Sequence, residues 1–248
     1  MYEIINIIIP VYNEKESICK TFSEIENKIK TPHKIFVVYD HDDDNTIPII
    51  KDHIDRKNNL ALVKNKYGIG ALNAIKTGFD CVDEGAVLVI NADLSDDLPI
   101  VDRMFGKINE GYSIVCGSRY MKGGKQIGGP WFKNRLSRLA GITLYHLAGL
   151  PTHDATNSFK MYTKKTLNSI VIESNGGFEL GMEIVIKAFI KGCKITEIPS
   201  LWYDRTGGES KFKMWEWMPK YIYWYLFAIF KNVKRKAFKI NKINEDRN

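Results

Sequence analysis

An acidic cluster directly follows an apolar segment in the stretch VLVINADLSDD, residues 87–97. The four apolar residues at its start predict a buried β-strand. Asn91 stands at the strand end, and Asp93, Asp96 and Asp97 come after it. Carboxylates beyond the carboxyl end of a buried strand bind metal ions or phosphates in many α/β proteins. The stretch therefore predicts a polar ligand site, and its chemistry depends on which of these oxygens reach a cation.

Two further polar clusters also follow predicted strands. One is PVYNE, residues 10–14, and the other is DHDDD, residues 40–44. Because the carboxyl ends of parallel strands meet at one edge of a sheet, both are expected to lie beside the first cluster. The acidic loop has two interpretations. Either it hydrogen-bonds a base or ribose, with Asp40 as the best candidate, or it is a solvated turn in which Asn45 or Thr46 caps a helix.

The elements that must position these clusters are predicted from apolar periodicity. Short β-branched segments alternate with amphipathic patterns, which predicts an α/β fold with a mostly parallel sheet and helices on both faces. The predicted strands are residues 4–9, 34–39, 60–64, 86–90 and 113–116, then one within 151–162 and one at 194–198. The predicted helices lie near residues 15–30, 47–56, 69–83, 98–109, 131–147 and 179–190.

Basic residues also occur where this fold would bring polar side chains to the same edge. Arg119 follows the fifth predicted strand, and Arg135 lies near the start of the helix after a glycine-rich loop. A later polar loop, residues 204–211, contains Arg205 and Lys211. Arginine binds phosphate through a bidentate fork and lysine binds it as a point charge. Together these residues predict a site for several phosphates, although a surface salt bridge is the ordinary role of any single one.

Glycine and cysteine positions exclude other classes of site. A nicotinamide-binding fold has Gly-x-Gly-x-x-Gly after its first strand, whereas this chain has PVYNEKES there. Gly68 and Gly70 open a later helix, where they either present N–H groups to a phosphate or make a tight turn. The four cysteines are far apart, which argues against a zinc site or a disulfide framework and favours a reducing compartment. The first fourteen residues are expected to contain a strand and not a secretory signal.

Positive charge is concentrated at the carboxyl end of the chain. Residues 211–248 contain 10 Lys/Arg and 3 Asp/Glu, whereas residues 1–210 contain 26 of each. A general nucleic-acid binder does not usually combine a neutral body with one basic tail. We therefore expect one α/β domain over residues 1–210, a C-terminal segment over residues 211–248, and no nucleic-acid partner.

The C-terminal segment is aromatic as well as basic. Residues 221–230 form an uninterrupted apolar and aromatic run between Lys220 and Lys231. Ten helical residues span about 15 Å, half of the hydrocarbon core of a bilayer, so this run should not cross a membrane. The pattern favours an amphipathic helix on an anionic membrane surface. The alternative is a helix that packs on the body or in a homo-oligomer interface.

Seven short motifs occur in a characteristic order over about residues 4–213. They are PVYNE, VVYDHDDDNT, NADLSDD, CGSRYMKGG, HDATNSFKMY, GFELGMEI and DRTGGESKF. This order resembles the family-2 glycosyltransferases, and most closely their dolichol-phosphate mannosyltransferase and polyprenyl-phosphate glycosyltransferase branch. The resemblance implies a Rossmann-like GT-A fold, a GDP- or UDP-linked sugar donor, Mg²⁺ or Mn²⁺, and inverting transfer to a dolichyl or undecaprenyl phosphate. It also implies a cytoplasmic enzyme that is peripheral on the cytoplasmic face of a membrane.

On the donor side, the resemblance implies roles for residues in four of the motifs. Pro10, Tyr12 and Glu14 would border the nucleotide, Asp40 would contact its base, Arg205 and Lys211 would meet its diphosphate, and Asp93 would bind the metal. Asn91 departs from the family, because it replaces the first acid of the Asp-x-Asp metal motif. Hard cations accept an amide oxygen beside one carboxylate and substrate phosphates, so a metal is still expected, with weak affinity in the absence of donor.

On the acceptor side, Arg119 and Arg135 would hold the acceptor phosphate, with Asp154 and Phe159 in the same region. A phosphate acceptor needs no general base, because its second pKa is about 6 and it is largely ionised at pH 7. A saccharide hydroxyl in polysaccharide or glycoprotein glycan assembly would need one, and Asp154 or Glu179 would be the candidate. A third possibility is a non-catalytic scaffold that binds nucleotide-sugars and has lost part of its metal site.

Overall fold

The chain alternates strands and helices, as the apolar pattern predicts. In the computed structural model, which describes residues 1–54, 58–204 and 214–245, the strands are β1 (Ile5–Val11), β2 (His33–Tyr39), β3 (Leu60–Lys64), β4 (Ala86–Val89), β5 (Ile114–Ser118), β6 (Lys125–Ile127), β7 (Lys160–Thr163), β8 (Ile195–Pro199) and β9 (Leu201–Tyr203). The helices are α1 (Ile18–Lys28), α2 (Ile47–Ile54), α3 (Ala71–Asp80), α4 (Val101–Asn109), α5 (Trp131–Ala148), α6 (Lys164–Asn168), α7 (Leu180–Ile190) and α8 (Met214–Glu245). Every predicted strand and helix is present close to its expected bounds.

Seven strands form one sheet in the order β3-β2-β1-β4-β7-β5-β8. Strands β1 to β4 pair in parallel, and β5 pairs in parallel with β8. Only β7 is reversed, because it runs antiparallel to both β4 and β5. The predicted mostly parallel sheet is confirmed. The reversal of β7 brings the segment before this strand to the edge where the other strands end.

A second, two-stranded sheet lies beside that edge. It pairs β6 in parallel with β9, and neither strand was predicted because three residues are too short for a readable period. The Leu201 N–H at the start of β9 donates a hydrogen bond to Asp97 Oδ2 at 2.7 Å. The small sheet is thereby fixed to the loop that follows β4.

The large sheet is covered on both faces, and the alternation of side chains along β1 divides the core. Ile5, Ile7 and Ile9 point to one face and pack in a cluster with residues of α1 and α4. Ile8 points to the other face and packs in a cluster with residues of α3, α7 and α8. All four isoleucines are fully buried, so the two cores are separated by the strand itself.

Helix α8 extends far beyond the apolar run that predicted it. Its residues Trp217, Trp224 and Ala228 are buried, and Trp224 Nε1 donates to Ser174 Oγ at 3.0 Å. The Tyr225 hydroxyl donates to Thr143 Oγ1 of α5 at 3.0 Å. One face of α8 therefore packs on the body, as the second interpretation of the tail proposed. Among the described helices, none combines the length and the hydropathy needed to span a membrane.

Helix α3 approaches β1 so closely that a glycine is required between them. A methyl group at Gly78 would lie 2.4 Å from Ile8 Cγ2, a separation that packed carbon atoms do not reach. Gly106, in the exposed part of α4, has open space at the same position. The two glycines are both helical and differ in what surrounds them.

We expect Gly78→Ala to lower the free energy of unfolding by about 1–3 kcal/mol, because the added methyl group overpacks the contact between α3 and β1. Gly106→Ala should leave it unchanged or raise it by up to about 1 kcal/mol, because alanine favours the helix and meets nothing. Urea denaturation followed by circular dichroism measures both. Equal effects at the two positions would contradict the close approach.

Candidate functional site

The loops after β1 and β2 are joined by hydrogen bonds at the edge of the sheet. Asp44, which is buried, accepts from the Asn13 N–H at 3.0 Å and from the Thr46 N–H at 2.8 Å. Thr46 Oγ1 accepts from the Glu14 N–H at 2.9 Å. The convergence of the PVYNE and DHDDD clusters is confirmed. Within the acidic loop, Asp44 is a structural anchor, a role that neither interpretation assigned to it.

Asp40 is already engaged on both carboxylate oxygens. Oδ1 accepts from Asn65 Nδ2 at 2.7 Å, and Oδ2 accepts from the Gly70 N–H at 2.8 Å. Gly68 and Gly70 both have positive φ, which only glycine adopts without strain. The N–H of Gly70 is therefore used by Asp40, which favours the tight-turn interpretation of the two glycines. Asp40 lies at the rim, and its contact with a base stays a prediction.

The other residues expected around the nucleotide lie at the end of β1. Pro10 is the second-last residue of β1 and pairs with Val38 of β2. Tyr12 is about half exposed, and its ring centre lies 6.3 Å from that of His41. Glu14 accepts a hydrogen bond from the Ser17 hydroxyl at 3.1 Å. The arrangement leaves an exposed aromatic ring beside the carboxyl ends of β1 and β2.

The loop after β4 holds Asp93 in a constrained conformation. Asp93 Oδ1 accepts from Ser95 N–H at 3.1 Å and from Ser95 Oγ at 2.6 Å. Between them, Leu94 has φ of 62°, a left-handed conformation that is unfavourable for a bulky residue. In the described chain, the only other residue besides glycine with positive φ is Asn13, in the loop after β1. Strain of this kind concentrates at functional sites.

Asn91 and Asp96, on either side of Asp93 in the sequence, are in direct contact. Asn91 Nδ2 donates to Ser158 Oγ at 3.2 Å, so the amide oxygen of Asn91 is not used in this hydrogen bond. The Asn91 N–H donates to Asp96 Oδ2 at 2.8 Å. Burial raises the pKa of Asp96 to about 7, against the effect of this hydrogen bond, and the negative charge of Asp93 adds to the rise.

Asp96 and Asp97 do not serve the helix that follows them. They precede a 3₁₀ turn, residues Leu98–Ile100, that leads into α4. Asp96 bonds back to the end of β4, and Asp97 bonds forward to β9. Both carboxylates therefore fix the loop after β4, Asp96 to Asn91 within the loop and Asp97 to Leu201 of β9.

Arg119 and Asp154 form a buried ion pair between the end of β5 and the segment before β7. Arg119 Nε lies 2.7 Å from Asp154 Oδ2, and Nη2 lies 2.9 Å from Oδ1. The Arg119 side chain is 9% exposed and that of Asp154 is 0% exposed. Burial alone would raise the pKa of Asp154, but the charge and hydrogen bonds of Arg119 hold it below its ordinary value. Such a carboxylate does not suit the general-base role expected of it, and it positions Arg119 instead.

The Arg119 guanidinium also joins helix α5 to this pair. Nη2 donates to Ser137 Oγ at 3.2 Å and to Thr156 Oγ1 at 3.1 Å. Arg135 lies nearer the start of the same helix, exposed, with its guanidinium 5.6 Å from the Trp131 ring centre. Both arginines expected at the acceptor phosphate are thus connected to α5. Arg205 and Lys211 lie outside the described residues.

Phe159 is not a contact residue of this site. It is fully buried, and a methyl group at Gly117 would lie only 2.7 Å from its ring. Phe159 therefore packs under β5 in the core, which corrects its expected place in the acceptor region. The sequence could not distinguish the two, because an aromatic residue next to a polar loop suits either.

Glu179 and Glu183, four residues apart at the start of α7, are both fully buried. Glu179 accepts from the N–H groups of Gly176 and Gly177, at 2.7 and 2.6 Å. Glu183 accepts from the N–H groups of residues 173 and 174, at 2.6 and 2.8 Å. The two carboxylates hold the loop before α7. Glu179 is therefore a buried structural carboxylate, which does not favour the general-base role.

Helix α8 borders the same region, which the sequence did not indicate. Lys220 Nζ donates to the Asn175 carbonyl at 3.1 Å, and the Trp217 ring lies over Gly177. Burial and the charge of Glu179 raise the pKa of Tyr221 far above its ordinary value, with smaller effects from Arg119 and Asp154. Tyr221 therefore lies close to the buried ion pair. Helix α8 therefore lines one side of the site and also exposes a surface of its own.

The side-chain oxygens at the end of β4 fit a hard cation only when further oxygen ligands are present. Asp93 offers a carboxylate and Asn91 an amide oxygen, and Asp96 Oδ1 is buried without a hydrogen-bond partner. Within the described ranges, no group of three His, Cys, Asp or Glu side chains could hold a metal by itself. Such a site suits Mg²⁺ or Mn²⁺ that arrives with a diphosphate, whose oxygens complete the coordination.

Comparison with known proteins agrees with this geometry. The family model described as "Glycosyl transferase family 2" matches residues 6–171. A dolichol-phosphate mannosyltransferase from Pyrococcus furiosus is 28% identical over 234 residues, covering 93% of this chain and 64% of the relative. A polyprenol monophosphomannose synthase from Mycolicibacterium smegmatis is 28% identical over 230 residues, covering 85% of each. The chain thus spans somewhat less than two thirds of the length of the Pyrococcus relative.

Solved structures share the fold. Glucosyl-3-phosphoglycerate synthase from Mycobacterium tuberculosis, crystallised with Mn²⁺, UDP and glucosyl-3-phosphoglycerate, superposes with a TM-score of 0.68 over 92% of this chain and 80% of that one. The same enzyme with Mg²⁺ and UDP superposes with a TM-score of 0.67. At 16% identity, this likeness establishes the α/β architecture alone.

The raised pKa of Asp96 predicts a stability that depends on pH. Because its folded-state pKa is about 7 and its ordinary value is 3.8, the stability of the folded state decreases as the pH rises from about 4 through 7. The decrease is on the order of 4 kcal/mol, since one pKa unit corresponds to about 1.4 kcal/mol. Asp96→Asn removes this ionisation, so its free energy of unfolding should exceed that of the wild type at pH 8 by more than at pH 4.5. Urea denaturation with a chelator measures the difference, and the same difference at both pH values would contradict the assignment.

Proposed function

Because the chain belongs to glycosyltransferase family 2 and has the GT-A fold, we propose that it transfers a sugar from a GDP- or UDP-linked donor to a polyprenyl phosphate. An acceptor phosphate oxygen attacks the anomeric carbon, the bond from that carbon to the donor diphosphate breaks with inversion, and the nucleoside diphosphate leaves. Two relatives with 28% identity are named for polyprenol or dolichol phosphate mannosyl transfer. Their names support this acceptor class.

A phosphate acceptor is favoured by the hydrogen bonding and burial of the two candidate general bases, Asp154 and Glu179. Both oxygens of Asp154 are bound by Arg119, and both oxygens of Glu179 are bound by backbone N–H groups. A hydroxyl acceptor needs a base that it can reach, whereas both of these carboxylates are fully buried. A phosphate monoester needs neither, because it is largely ionised at pH 7.

The acceptor phosphate requires a cation held in place, and Arg119 meets that requirement. Asp154, Ser137 and Thr156 bind its Nε and Nη2 atoms, so the guanidinium is fixed before any ligand arrives. Its Nη1 makes no hydrogen bond to a described side chain and is the atom that we assign to the phosphate. Arg135 adds a second, exposed positive charge from α5.

On the donor side, Asp93 and Asn91 would hold the metal, and Tyr12 and Asp40 would border the nucleotide. When bound, Mg²⁺ or Mn²⁺ neutralises the charge that develops on the leaving diphosphate. Asp93 is kept in one orientation by Ser95 and by the constrained backbone at Leu94. This preorganisation means that the carboxylate does not need to reorient as charge develops.

We expect a chloroform-soluble, labelled product when the protein is incubated with labelled GDP-mannose or UDP-glucose, Mg²⁺ or Mn²⁺ and polyprenyl phosphate. Polyprenol, which has a hydroxyl in place of the phosphate, should give none. Asp93→Asn should slow transfer by on the order of 10²-fold or more, because the metal loses its carboxylate. Asp97→Asn keeps the acceptor for Leu201 and should retain most of the activity. Transfer to soluble acceptors alone would refute the lipid acceptor.

The location proposed for this reaction is the cytoplasmic face of a membrane. The face of α8 that does not pack on the body exposes Ile222, Tyr223, Leu226 and Phe230. Residues 222, 226 and 230 repeat every four positions and so form one apolar stripe. Trp131, Phe132, Leu136 and Leu139 are also exposed on α5, the helix that contacts α8. Apolar stripes that adjoin basic residues suit an interfacial helix on anionic lipid.

Sedimentation with vesicles that contain phosphatidylglycerol should recover the protein with the lipid. The double variant Leu226→Asp, Phe230→Asp should weaken this binding by on the order of tenfold or more, because two apolar side chains no longer enter the interface. Val171→Asp is the control, since Val171 is an apolar residue outside α5 and α8 whose side chain is 78% exposed. Equal recovery of the double variant and the wild type would contradict membrane binding by this face.

A further inference from the structure

One oxygen of Asp96 is buried in a way that needs an explanation. In the part of the chain that the structure describes, only two buried side-chain polar atoms lack a hydrogen-bond partner, and they are His33 Nε2 and Asp96 Oδ1. Asp96 is 8% exposed. An unpartnered carboxylate oxygen inside a protein destabilises it, and bound ions are a common reason why one is retained.

The position of Asp96 connects it to the departure in the metal motif. Asp96 Oδ2 accepts the N–H of Asn91 at 2.8 Å, so its carboxylate is fixed directly beside the residue that lacks a charge. Asp93 lies in the same short loop and is held there by Ser95, the residue next to Asp96. In the motif NADLSDD, the neutral Asn91 therefore stands where an acid is expected, and the additional acid Asp96 contacts Asn91.

Other carboxylates near this end of the sheet are already compensated. Asp154 is paired with Arg119 at 2.7 Å. Asp44 accepts three hydrogen bonds that tie together the loops after β1 and β2. Asp97 accepts the N–H of Leu201. Asp96 differs from all three, because one of its oxygens is both buried and without a hydrogen-bond partner.

We propose that Asp96 supplies the negative charge that Asn91 cannot, so that the cation which accompanies the donor diphosphate is bound in the field of two carboxylates, Asp93 and Asp96. The inference rests on the metal-dependent transfer proposed above and concerns only the binding of the cation. A divalent cation beside a poorly solvated carboxylate is strongly attracted to it, because the effective dielectric constant is low there. Binding would at the same time compensate the buried charge of Asp96.

The variant Asp96→Asn isolates the charge. An asparagine oxygen still accepts the Asn91 N–H, and the side chain keeps its size, so only the negative charge is removed. Asn91→Asp places a charge at the usual position of the motif. The double variant therefore moves one charge from residue 96 to residue 91 and leaves the total unchanged. Asp97→Asn is the matched control, since it removes a neighbouring charge whose oxygen already has a donor.

Mn²⁺ binding to the full chain can be measured by electron paramagnetic resonance, with saturating GDP and, in parallel, UDP. We expect Asp96→Asn to weaken Mn²⁺ binding about tenfold or more, which is the size of effect that about 1.4 kcal/mol of lost attraction produces. Asn91→Asp combined with Asp96→Asn should restore the affinity, and Asp97→Asn should leave it unchanged. Thermal denaturation followed by circular dichroism verifies that each variant is folded.

Three results would overturn the inference. Asp96→Asn could bind Mn²⁺ as the wild type does, or the wild type could bind none with either nucleotide. Asp96→Asn could also lose affinity for the nucleotide-sugar while its Mn²⁺ affinity is intact, which would assign Oδ1 to a sugar hydroxyl. Failure of the proposed function is distinguishable, because the Mn²⁺ pattern would then hold while no sugar is transferred to polyprenyl phosphate.

Discussion

The buried ion pair between Arg119 and Asp154 is the interaction on which the acceptor half of the site depends. It joins the end of β5 to the segment before β7, and through Ser137 it also joins helix α5. A buried pair is stable only when both ions keep their partner, and removal of either one leaves an uncompensated charge. The reversed direction of β7 makes this pairing possible, because a parallel strand would bring its other end to the edge.

The remaining carboxylates of the site are held mainly by backbone N–H groups, some from neighbouring residues and some from segments distant in sequence. Asp44 fixes the loops after β1 and β2, Asp97 fixes β9, and Glu179 and Glu183 fix the loop that contacts α8. Each bond satisfies a donor that a loop would otherwise leave exposed or unpaired. The acidic character of the sequence at this edge is thus largely structural, and Asp93 and Asp96 are the carboxylates for which we propose a role in cation binding.

The fold was predictable from the sequence to a greater degree than the site. Apolar runs such as β1 and β4 have one stable arrangement, a buried parallel strand, so their positions follow from local pattern. The direction of β7 does not follow, because four residues flanked by polar loops suit either direction. Similarly, the spacing of Glu179 and Glu183 describes one helix face but not what covers it. The loop that Glu179 holds is covered by Trp217 of α8, a tertiary contact that no local pattern encodes.

The position of α8 relates the acceptor site to the surface that would deliver the acceptor. Its packed face contacts Thr143 of α5, the helix whose Ser137 binds Arg119, and places Trp224 in the core at 2% exposure. Its opposite face exposes the apolar stripe at residues 222, 226 and 230. A polyprenyl phosphate has a chain that remains in the membrane and a charged group at the surface. The proposed lipid acceptor would therefore use both faces of α8, the exposed stripe on lipid and the packed face on the helix that joins Arg119, whereas a soluble saccharide would have no need of the stripe.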